Sequence, residues 1–387
     1  MKEKESTSPA LQELLTPETE KTEIFPGITT EEIKAVYFDR NALREPPYRI
    51  YQLNTEGYRY YYNYDAAGEI HFYPSVTTLL HQVLPTSPFL IKWMIEQGAE
   101  GAVEKRDLAA AYGTFMHIQL ESLIINRKYN FDEVPARLLA YIEQENLPEK
   151  FFAENIQKAR KDVLAFAQFI VDYNVRPLAV EIGLAHPVYH YAGCVDLPCI
   201  MTDKKTKQDF LAIVDFKSGR KGFYEEHELQ LELYRMMWNI NFPDVEIKRI
   251  FNWSPKDWRT SPTYNLKEQT DSPNLKKIPH LLALAAIEDE KRDNTLTIVH
   301  GQIDLNGWKA EDNILTLSLA ELIKTRDAEK EDKRPAKGTE TALKSSESSE
   351  IIKDTEKDAE SVKTKISPEK PKEPDTKEDL LNNEVEL

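Results

Sequence analysis

Short apolar runs that stop at a lone acidic residue mark the middle of the chain. The run 213–219 is apolar at its start, carries Asp215 and Lys217 two positions apart, and breaks at a glycine. Because side chains alternate between the faces of a strand, Asp215 and Lys217 point the same way. A second apolar run, 191–197, holds Asp196 as its one acid. The pattern predicts two neighbouring strands that bring two carboxylates and one ammonium to a shared edge.

Helical periodicity surrounds these strands. Ser75 or Thr77 is placed to cap a helix that ends before Pro85. Residues 88–98 carry apolar side chains at helical spacing, which is typical of a core helix, and a long amphipathic helix follows from Glu104. Further helices are predicted over 138–146, 151–173 and 225–240, and strands over 178–185, 191–200, 210–216 and 248–253. This order indicates an α/β sandwich with mixed strand pairing.

The flanks of this core have a different composition. Residues 1–22 are polar and predict a flexible leader, and residues 23–73 form an aromatic-rich region with a predicted hairpin around the turn 66–69. Its tyrosines either pack against each other or stack on unpaired bases. The core is expected over 74–255 and a helical flank over 256–325, with helices at 279–288 and 310–323. Residues 326–387 hold 13 basic and 18 acidic residues and no aromatic one, which predicts a disordered charged tail.

Charge and cysteine usage narrow the class of protein. A net charge of −16 argues against broad, non-specific wrapping of nucleic acid, so basic residues must act locally. Two cysteines, Cys194 and Cys199, are too few for a cysteine-only iron–sulfur cluster, and they fit a reduced compartment. The N-terminal segment has no apolar core of a signal peptide, and apolar stretches such as 281–287 are too short to span a bilayer. We therefore expect no membrane contact and a cytoplasmic protein.

A histidine and a glutamate share one face of the long helix. His117 and Glu121 are four residues apart, and Gly113 one turn earlier suggests a close backbone approach. Two interpretations without chemistry stay open: a surface histidine–glutamate pair, and an Asp215–Lys217 ion pair that only fixes strand register. Asp196 and Asp215, brought to a shared edge, would instead make an all-oxygen site that suits Mg2+ or Mn2+.

The ordered set of motifs resembles a known nuclease group. Its elements are Gly113-Thr114-x-x-His117-x-x-x-Glu121, Gly193-x-x-Asp196, Asp215-x-Lys217 and Gln230-x-x-x-Tyr234. This set resembles the RecB-like branch of the PD-(D/E)XK nuclease superfamily, over about Pro74 to Trp253. The lead-in Pro74-Ser75-Val76-Thr77-Thr78 is similar to that of phage exonucleases and of a mitochondrial genome-maintenance exonuclease. The implied fold is a restriction-endonuclease-like core, a mixed central sheet flanked by helices, with helical additions.

The resemblance implies a role for each matched residue. Asp196, Asp215, His117 and the backbone carbonyl of Phe216 would bind the metal, and Lys217 would position or activate the attacking water. Gln230 and Tyr234 would hold Lys217 or a phosphate, with Glu121 and Glu181 as supports. The candidates for DNA binding are the basic residues Lys204, Lys205, Lys207, Arg220 and Lys221.

The implied function is a Mg2+- or Mn2+-dependent DNA nuclease without an iron–sulfur cluster. An exonuclease acting on single-stranded ends in DNA replication, recombination or repair is the main hypothesis, in a bacterial or phage-infected host cell. The alternatives are a structure-specific endonuclease and a non-catalytic DNA-binding or assembly module. The sequence contains no Gly-x-x-x-x-Gly-Lys-Ser/Thr, so any helicase activity would come from a partner, and a single-strand-binding protein is the other candidate partner.

Overall fold

A computed structural model describes residues 21–332, except 26, 56, 57, 221, 291–293, 300 and 304, and it describes only the backbone of Tyr58 and of 329–332. The leader up to residue 20 and the tail beyond 332 thus lie outside the described residues. The described strands are β1 (Thr22–Phe25), β2 (Ile28–Glu32), β3 (Tyr37–Phe38), β4 (Tyr51–Thr55), β5 (Tyr58–Tyr64), β6 (Ile70–Pro74), β7 (Arg176–Pro177), β8 (Ala179–Val180), β9 (Ile182–His186), β10 (Tyr191–Val195), β11 (Leu197–Thr202), β12 (Asp209–Phe216), β13 (Arg249–Pro255), β14 (Tyr264–Glu268), β15 (Thr295–Val299) and β16 (Ile314–Ser318).

Five α-helices of the described chain follow one another between β6 and β7, and three more lie among or after the later strands. The described α-helices are α1 (Val76–Val83), α2 (Pro88–Gln97), α3 (Ala99–Asn126), α4 (Val134–Gln144), α5 (Lys150–Tyr173), α6 (Glu225–Asn241), α7 (Ile278–Asp289) and α8 (Leu319–Asp332). The Ser75 side chain caps α1 by accepting a hydrogen bond of 2.9 Å from the Thr78 N–H, as the sequence predicts.

The central sheet is mixed and has the strand order β14-β13-β12-β11-β7. Strands β11 and β12 are antiparallel, and β12 and β13 are parallel, with Asp215 opposite Asn252. A parallel pair needs a crossover connection, and α6 supplies it between β12 and β13. The mixed α/β architecture expected from the sequence is therefore confirmed.

The two faces of this sheet bury separate apolar cores. Along β12, Ala212, Val214 and Phe216 pack against α3, α4 and α5, whereas Ile213 faces the core formed with α1, α6 and α7. Alternation along the strand therefore sends Asp215 and Lys217 to the α6 side. The polar pair is placed where a helix can reach it.

The aromatic N-terminal region forms more than a hairpin. The predicted hairpin is present as β5 and β6, joined through a turn in which Gly68 has φ +83°, and it extends into the antiparallel sheet β1-β2-β4-β5-β6. Tyr62 is fully buried there, and its ring stacks on Tyr51 at 5.1 Å between centroids. In this sheet the buried tyrosines serve packing.

Three expectations from the hydrophobic pattern are wrong. Residues 310–323, expected as one helix, contain the strand β16, and α8 begins only at Leu319. The flank after residue 255 is not purely helical, because β14 joins the central sheet. Helix α2, expected in the core, buries none of its residues, and Phe89 is 85% exposed. Amphipathic spacing indicates a helix, but it does not show whether a partner covers the apolar face.

Among the described helices, α3 is long and apolar enough to cross a membrane, judged by length and composition only. This differs from the expectation that the apolar stretches are too short to span a bilayer. Core helices of soluble proteins share this length and composition. The apolar residues Phe115, Met116 and Leu120 of α3 lie in the core against the central sheet.

Candidate active site

Three side chains from separate elements converge beside the end of β12. His117 comes from α3, Glu181 from the link between β8 and β9, and Asp196 from the link between β10 and β11. One ligand atom from each lies within 4.8 Å of the other two, a grouping consistent with a metal site. The His117 Nε2 atom is also 3.3 Å from the backbone carbonyl of Phe216. One nitrogen and several oxygens thus converge on a small volume.

Backbone hydrogen bonds hold this group in place. Asp196 Oδ2 accepts a hydrogen bond of 2.6 Å from the Phe216 N–H, which ties the two acid-bearing segments together. The Glu181 N–H donates to the Asp196 carbonyl at 2.9 Å. Glu181 has φ +51°, a left-handed conformation that costs a residue with a side chain about 1 kcal/mol or more. Hydrogen bonding thus holds a ligand candidate in a strained position.

Lys217 belongs to a series of side chains joined by hydrogen bonds. Its Nζ atom donates to Asp215 Oδ1 at 3.0 Å and to Gln230 Oε1 at 2.7 Å, and Gln230 Nε2 donates to the Tyr234 hydroxyl at 2.9 Å. The Lys217 side chain is 20% exposed, whereas that of Asp215 is 2% exposed. The ammonium is therefore held in one direction and is still open to a ligand.

Crowding of the carboxyl groups perturbs their protonation. Burial and the Glu181 charge raise the pKa of Glu121 to about 8. Burial raises the pKa of Asp196 to about 8, against the opposing effect of His117. Burial alone would lower the pKa of His117, but Asp196 and Glu181 raise it to about 10. The hydrogen bond and charge of His117 lower the pKa of Glu181 despite its burial. A further positive charge would relieve the repulsion among these acids.

The donor set fits a hard divalent cation. Carboxylate and carbonyl oxygens with one imidazole nitrogen are ligands for Mg2+ or Mn2+. The side chains of His117 and Glu181 are 26% and 21% exposed, so an ion can reach them from solvent. Among the described residues, the group whose ligand atoms lie within 4.8 Å of one another includes Glu181 and not Asp215. The Asp215 carboxylate instead accepts hydrogen bonds from Lys217 and Asn252. Ligation by Asp215, expected from the sequence, stays a prediction.

Sequence reasoning missed the residues that hold Asp215 from its far side. Asn252 Nδ2 donates to Asp215 Oδ2 at 2.9 Å, and Gln269 Nε2 donates to Asn252 Oδ1 at 3.0 Å. Asn252 is fully buried in β13. The sequence could have indicated Asn252, because this polar residue stands among apolar neighbours in the predicted strand, as Asp196 and Asp215 do in theirs.

The predicted DNA-binding residues do not form one group. Lys204, Lys205 and Lys207 lie in the turn between β11 and β12, at the strand ends away from Asp196 and Asp215. Six residues of strand place that turn about 20 Å from Asp215. Lys204 is also paired with Asp172 at 2.7 Å. Arg220 lies three residues after Lys217, and Lys221 falls outside the described residues.

Two glycines of the motif differ in how tightly they are packed. A Cβ atom at Gly193 would lie 3.0 Å from Tyr234 Cε1 and 3.4 Å from Val76 Cγ2, so a larger residue would push the tyrosine. A Cβ atom at Gly113 would lie 3.5 Å from Ser218 Oγ, an ordinary contact. The close approach expected at Gly113 therefore still leaves room for a methyl group.

The central sheet is mixed, one of its inner strands ends just after an acid, Asp215, and a lysine, Lys217, follows two residues after that acid. This combination is typical of one class of nucleases. The profile of the PD-(D/E)XK nuclease superfamily matches residues 90–316, and the chain belongs to this superfamily. The match runs past Trp253, where the resemblance from motifs ends, and so includes β14 and α7.

No curated protein matches the chain. Among solved structures, one described as "Crystal structure of SSO0001" is 14% identical, with 45% of this chain and 84% of that chain covered. Its TM-score is 0.21, too low to support an argument about this fold.

Proposed function

We propose that this protein is a metal-dependent DNA nuclease that hydrolyses phosphodiester bonds, acting as an exonuclease on single-stranded ends. The observation that supports it most is that His117, Glu181 and Asp196 each place one ligand atom within 4.8 Å of the others. Asp215 and Gln230 hold the Lys217 ammonium nearby. Superfamily membership supports a phosphodiesterase, and the motif resemblance to phage exonucleases supports the exonuclease mode. Replication, recombination or repair of DNA in the cytoplasm would use such an activity.

Each group in the site has a defined task under this proposal. His117, Glu181, Asp196 and the Phe216 carbonyl would hold Mg2+ or Mn2+, with Asp215 as a further candidate ligand. The cation would offset charge on the phosphate and acidify a bound water. Lys217 would use the one N–H that Asp215 and Gln230 leave free to hydrogen-bond a phosphate oxygen or the oxygen of the attacking water, and so would position it. Gln230 fixes the direction of Lys217, and Tyr234 fixes Gln230.

The arrangement around Lys217 also bears on the alternatives. A docking module that kept only the fold would have no use for an ammonium held by Asp215 and Gln230, with 20% of its side chain left exposed. A structure-specific endonuclease would use the same residues with a differently shaped entrance. Cleavage products separate the two modes of nuclease action.

The decisive experiment is a time course on an end-labelled single strand, its duplex and a closed circular single strand, each with Mg2+, Mn2+ or EDTA. We expect metal-dependent loss of the linear strand with the circle spared. Cleavage of the circle would indicate an endonuclease. The absence of any cleavage while Mn2+ still binds would contradict the enzyme and favour a docking role.

Lys217→Met tests the residue assignment within that assay. Removing the ammonium should lower the cleavage rate by a factor of at least about 100, while Mn2+ binding measured by calorimetric titration is retained. Lys248→Met, an exposed lysine paired with Glu246 at 3.8 Å, is the matched control and should cut normally. A Lys217→Met variant that cuts at the normal rate would refute the role of this lysine.

A further inference from the structure

Arg220, just beyond the catalytic lysine, anchors a charged cluster on α5. Its Nη2 atom donates to Asp162 Oδ1 at 2.6 Å, and the Tyr112 hydroxyl donates to Asp162 Oδ2 at 2.5 Å. The Asp162 side chain is only 1% exposed, whereas that of Arg220 is 20% exposed. One buried carboxylate thus fixes a cation that still reaches solvent.

A second cation in this cluster, Lys158, lies over an aromatic ring. Lys158, one turn before Asp162 on α5, places its Nζ atom 3.5 Å from the ring centroid of Tyr112. Among the described residues, no carboxylate oxygen forms a salt bridge with Lys158 within 4.0 Å. Arg220 and Lys158 therefore lie around a single buried acid, a local excess of positive charge.

The loop after β13 extends this cluster and adds an aromatic ring. Arg220 Nη1 lies 3.4 Å from Asp257 Oδ1, an acid that is 87% exposed. Lys161 Nζ donates to the Trp258 carbonyl at 3.2 Å and lies 5.4 Å from the indole centroid. The α5 basic surface comprises Lys158, Lys161, Arg220 and Trp258. Its three cations lie near two carboxylates, those of Asp162 and Asp257, on a chain whose net charge is −16.

This surface lies beside the candidate active site. Asp162 is four residues before Phe166, and the Phe166 ring packs against that of Phe216 with 5.1 Å between centroids. The carbonyl of Phe216 in turn lies 3.3 Å from His117 Nε2. The Asp162 cluster is thus about one helical turn along α5 from Phe166, whose ring packs on the residue that turns its carbonyl toward His117.

We propose that the α5 basic surface binds the unpaired strand of the substrate, with Lys158 and Arg220 on backbone phosphates and the Trp258 indole stacked on a base. The proposal rests on the proposed nuclease function and adds the residues that grip the substrate. A guanidinium and an ammonium both recognise phosphate oxygens. An aromatic ring stacks on any unpaired base, whereas paired bases keep their faces covered. The exposed Asp257 gives up Arg220 to the incoming phosphate.

Binding is measured with a fluorescent oligothymidylate of 20 nucleotides by anisotropy, in EDTA so that no cleavage occurs, at several salt concentrations. Lys158→Gln should weaken binding about 3- to 10-fold and reduce the slope of log affinity against log salt by about 0.7, the value for one phosphate contact of a single strand. Trp258→Ala should weaken binding at least about 5-fold, and Trp258→Phe should restore most of it. A duplex without ends should show little effect of either tryptophan variant.

Lys248→Gln is the matched control, because it removes one lysine charge from an exposed position elsewhere and should leave both affinity and salt slope unchanged. Thermal denaturation and Mn2+ titration of each variant check that the fold and the metal site are intact. If Lys158→Gln does not fold, Lys161→Gln, an exposed lysine on the same surface, replaces it.

The outcomes separate this proposal from the nuclease assignment. Wild-type protein that binds and cuts the strand, together with Lys158 and Trp258 variants that bind as well as wild type, would overturn the surface and leave the nuclease. Wild-type protein that neither binds nor cuts any nucleic acid would overturn both.

Discussion

The side chain of Glu181 shows why the candidate site differs from its sequence pattern. The motif gives Asp196 and Asp215 as the acids, with Glu181 as a support. In the structure, Glu181 lies with His117 and Asp196, whereas Asp215 is bound by Lys217 and Asn252. Spacing along the chain shows which strands carry acids, but it does not show that Glu181 lies between two strands with a left-handed backbone.

Glu181→Gln distinguishes the two ligand sets. If Glu181 is a ligand, the amide should lower Mn2+ affinity at least about 10-fold in calorimetric titration, because one of two converging charged oxygen donors is lost. Glu232→Gln is the matched control, since Glu232 is a largely buried glutamate of α6 that is paired with Arg235. Unchanged Mn2+ affinity in Glu181→Gln would return the ligand role to Asp215.

His186 makes the free energy of unfolding depend on pH. Burial lowers its pKa from 6.5 to about 4, and its Nδ1 atom accepts the Tyr189 N–H at 3.3 Å. As pH falls, the unfolded chain takes up the proton first, so this contribution is fully present above about 6.5 and is lost on the way to 4, by at most about 3 kcal/mol.

Chemical denaturation of His186→Asn between pH 7 and pH 4 tests this dependence. Asparagine keeps an acceptor near the position of Nδ1 and does not titrate, so the variant should lose less stability than wild type over that interval. Identical pH profiles for the two proteins would show that His186 does not contribute.

At the scale of elements, the sequence predicted the parts that alternate regularly. Helices α3, α5 and α6 and strands β12 and β13 appear near their expected positions. The single strand expected over 191–200 is wrong, because the chain breaks at Asp196 into β10 and β11, which belong to different sheets. Strand β14 was missed because its five residues, Tyr264–Glu268, carry no sustained apolar alternation. Helix α2 was placed in the core because its apolar residues have helical spacing, yet its partner surface depends on tertiary structure. Local periodicity therefore predicts the type of an element better than its neighbours.

Two glycines provide a matched test of how β10 and α3 support the site. Gly193→Ala places a methyl group 3.0 Å from the ring of Tyr234 and should lower the free energy of unfolding by about 1–3 kcal/mol. Cleavage should also fall, because Tyr234 holds Gln230 and Gln230 holds Lys217.

Gly113→Ala adds the same methyl group to α3 at an ordinary 3.5 Å contact. It should raise the free energy of unfolding by up to about 1 kcal/mol through helix propensity, with activity kept. Urea denaturation and the end-label assay measure both variants. Equal destabilisation by the two alanines would contradict the difference in packing.

At the scale of the whole molecule, helix α8 changes where the folded part ends. The sequence placed the charged tail from residue 326, but α8 runs to Asp332. Leu319 and Ile323 of α8 pack against Ile28, Leu53 and Tyr62 of the N-terminal sheet. The Tyr64 hydroxyl also donates to Asp327. The last helix of the described chain therefore completes the core of its first sheet.

Truncation tests this boundary. Removing residues 335–387, which lie beyond the described residues and belong to the predicted charged tail, should change the thermal midpoint and the specific activity little. Removing 319–387 instead strips Leu319 and Ile323 from their core and should cost about 3 kcal/mol or more. Scanning calorimetry measures both. A large loss of activity in the shorter deletion would show that the tail has a role in catalysis or binding.

The crowded acids of the candidate site make thermal stability and cleavage activity oppose each other. Glu121 and Asp196 are both held in surroundings that disfavour their charge, as their raised pKa values of about 8 indicate. An Asp196→Asn variant could still accept the hydrogen bond from the Phe216 N–H, and it would have no carboxylate charge to bury. Directed evolution for heat resistance in a chelating buffer would thus enrich neutral residues at these positions. The most heat-resistant descendants of this protein would then be those that no longer cut.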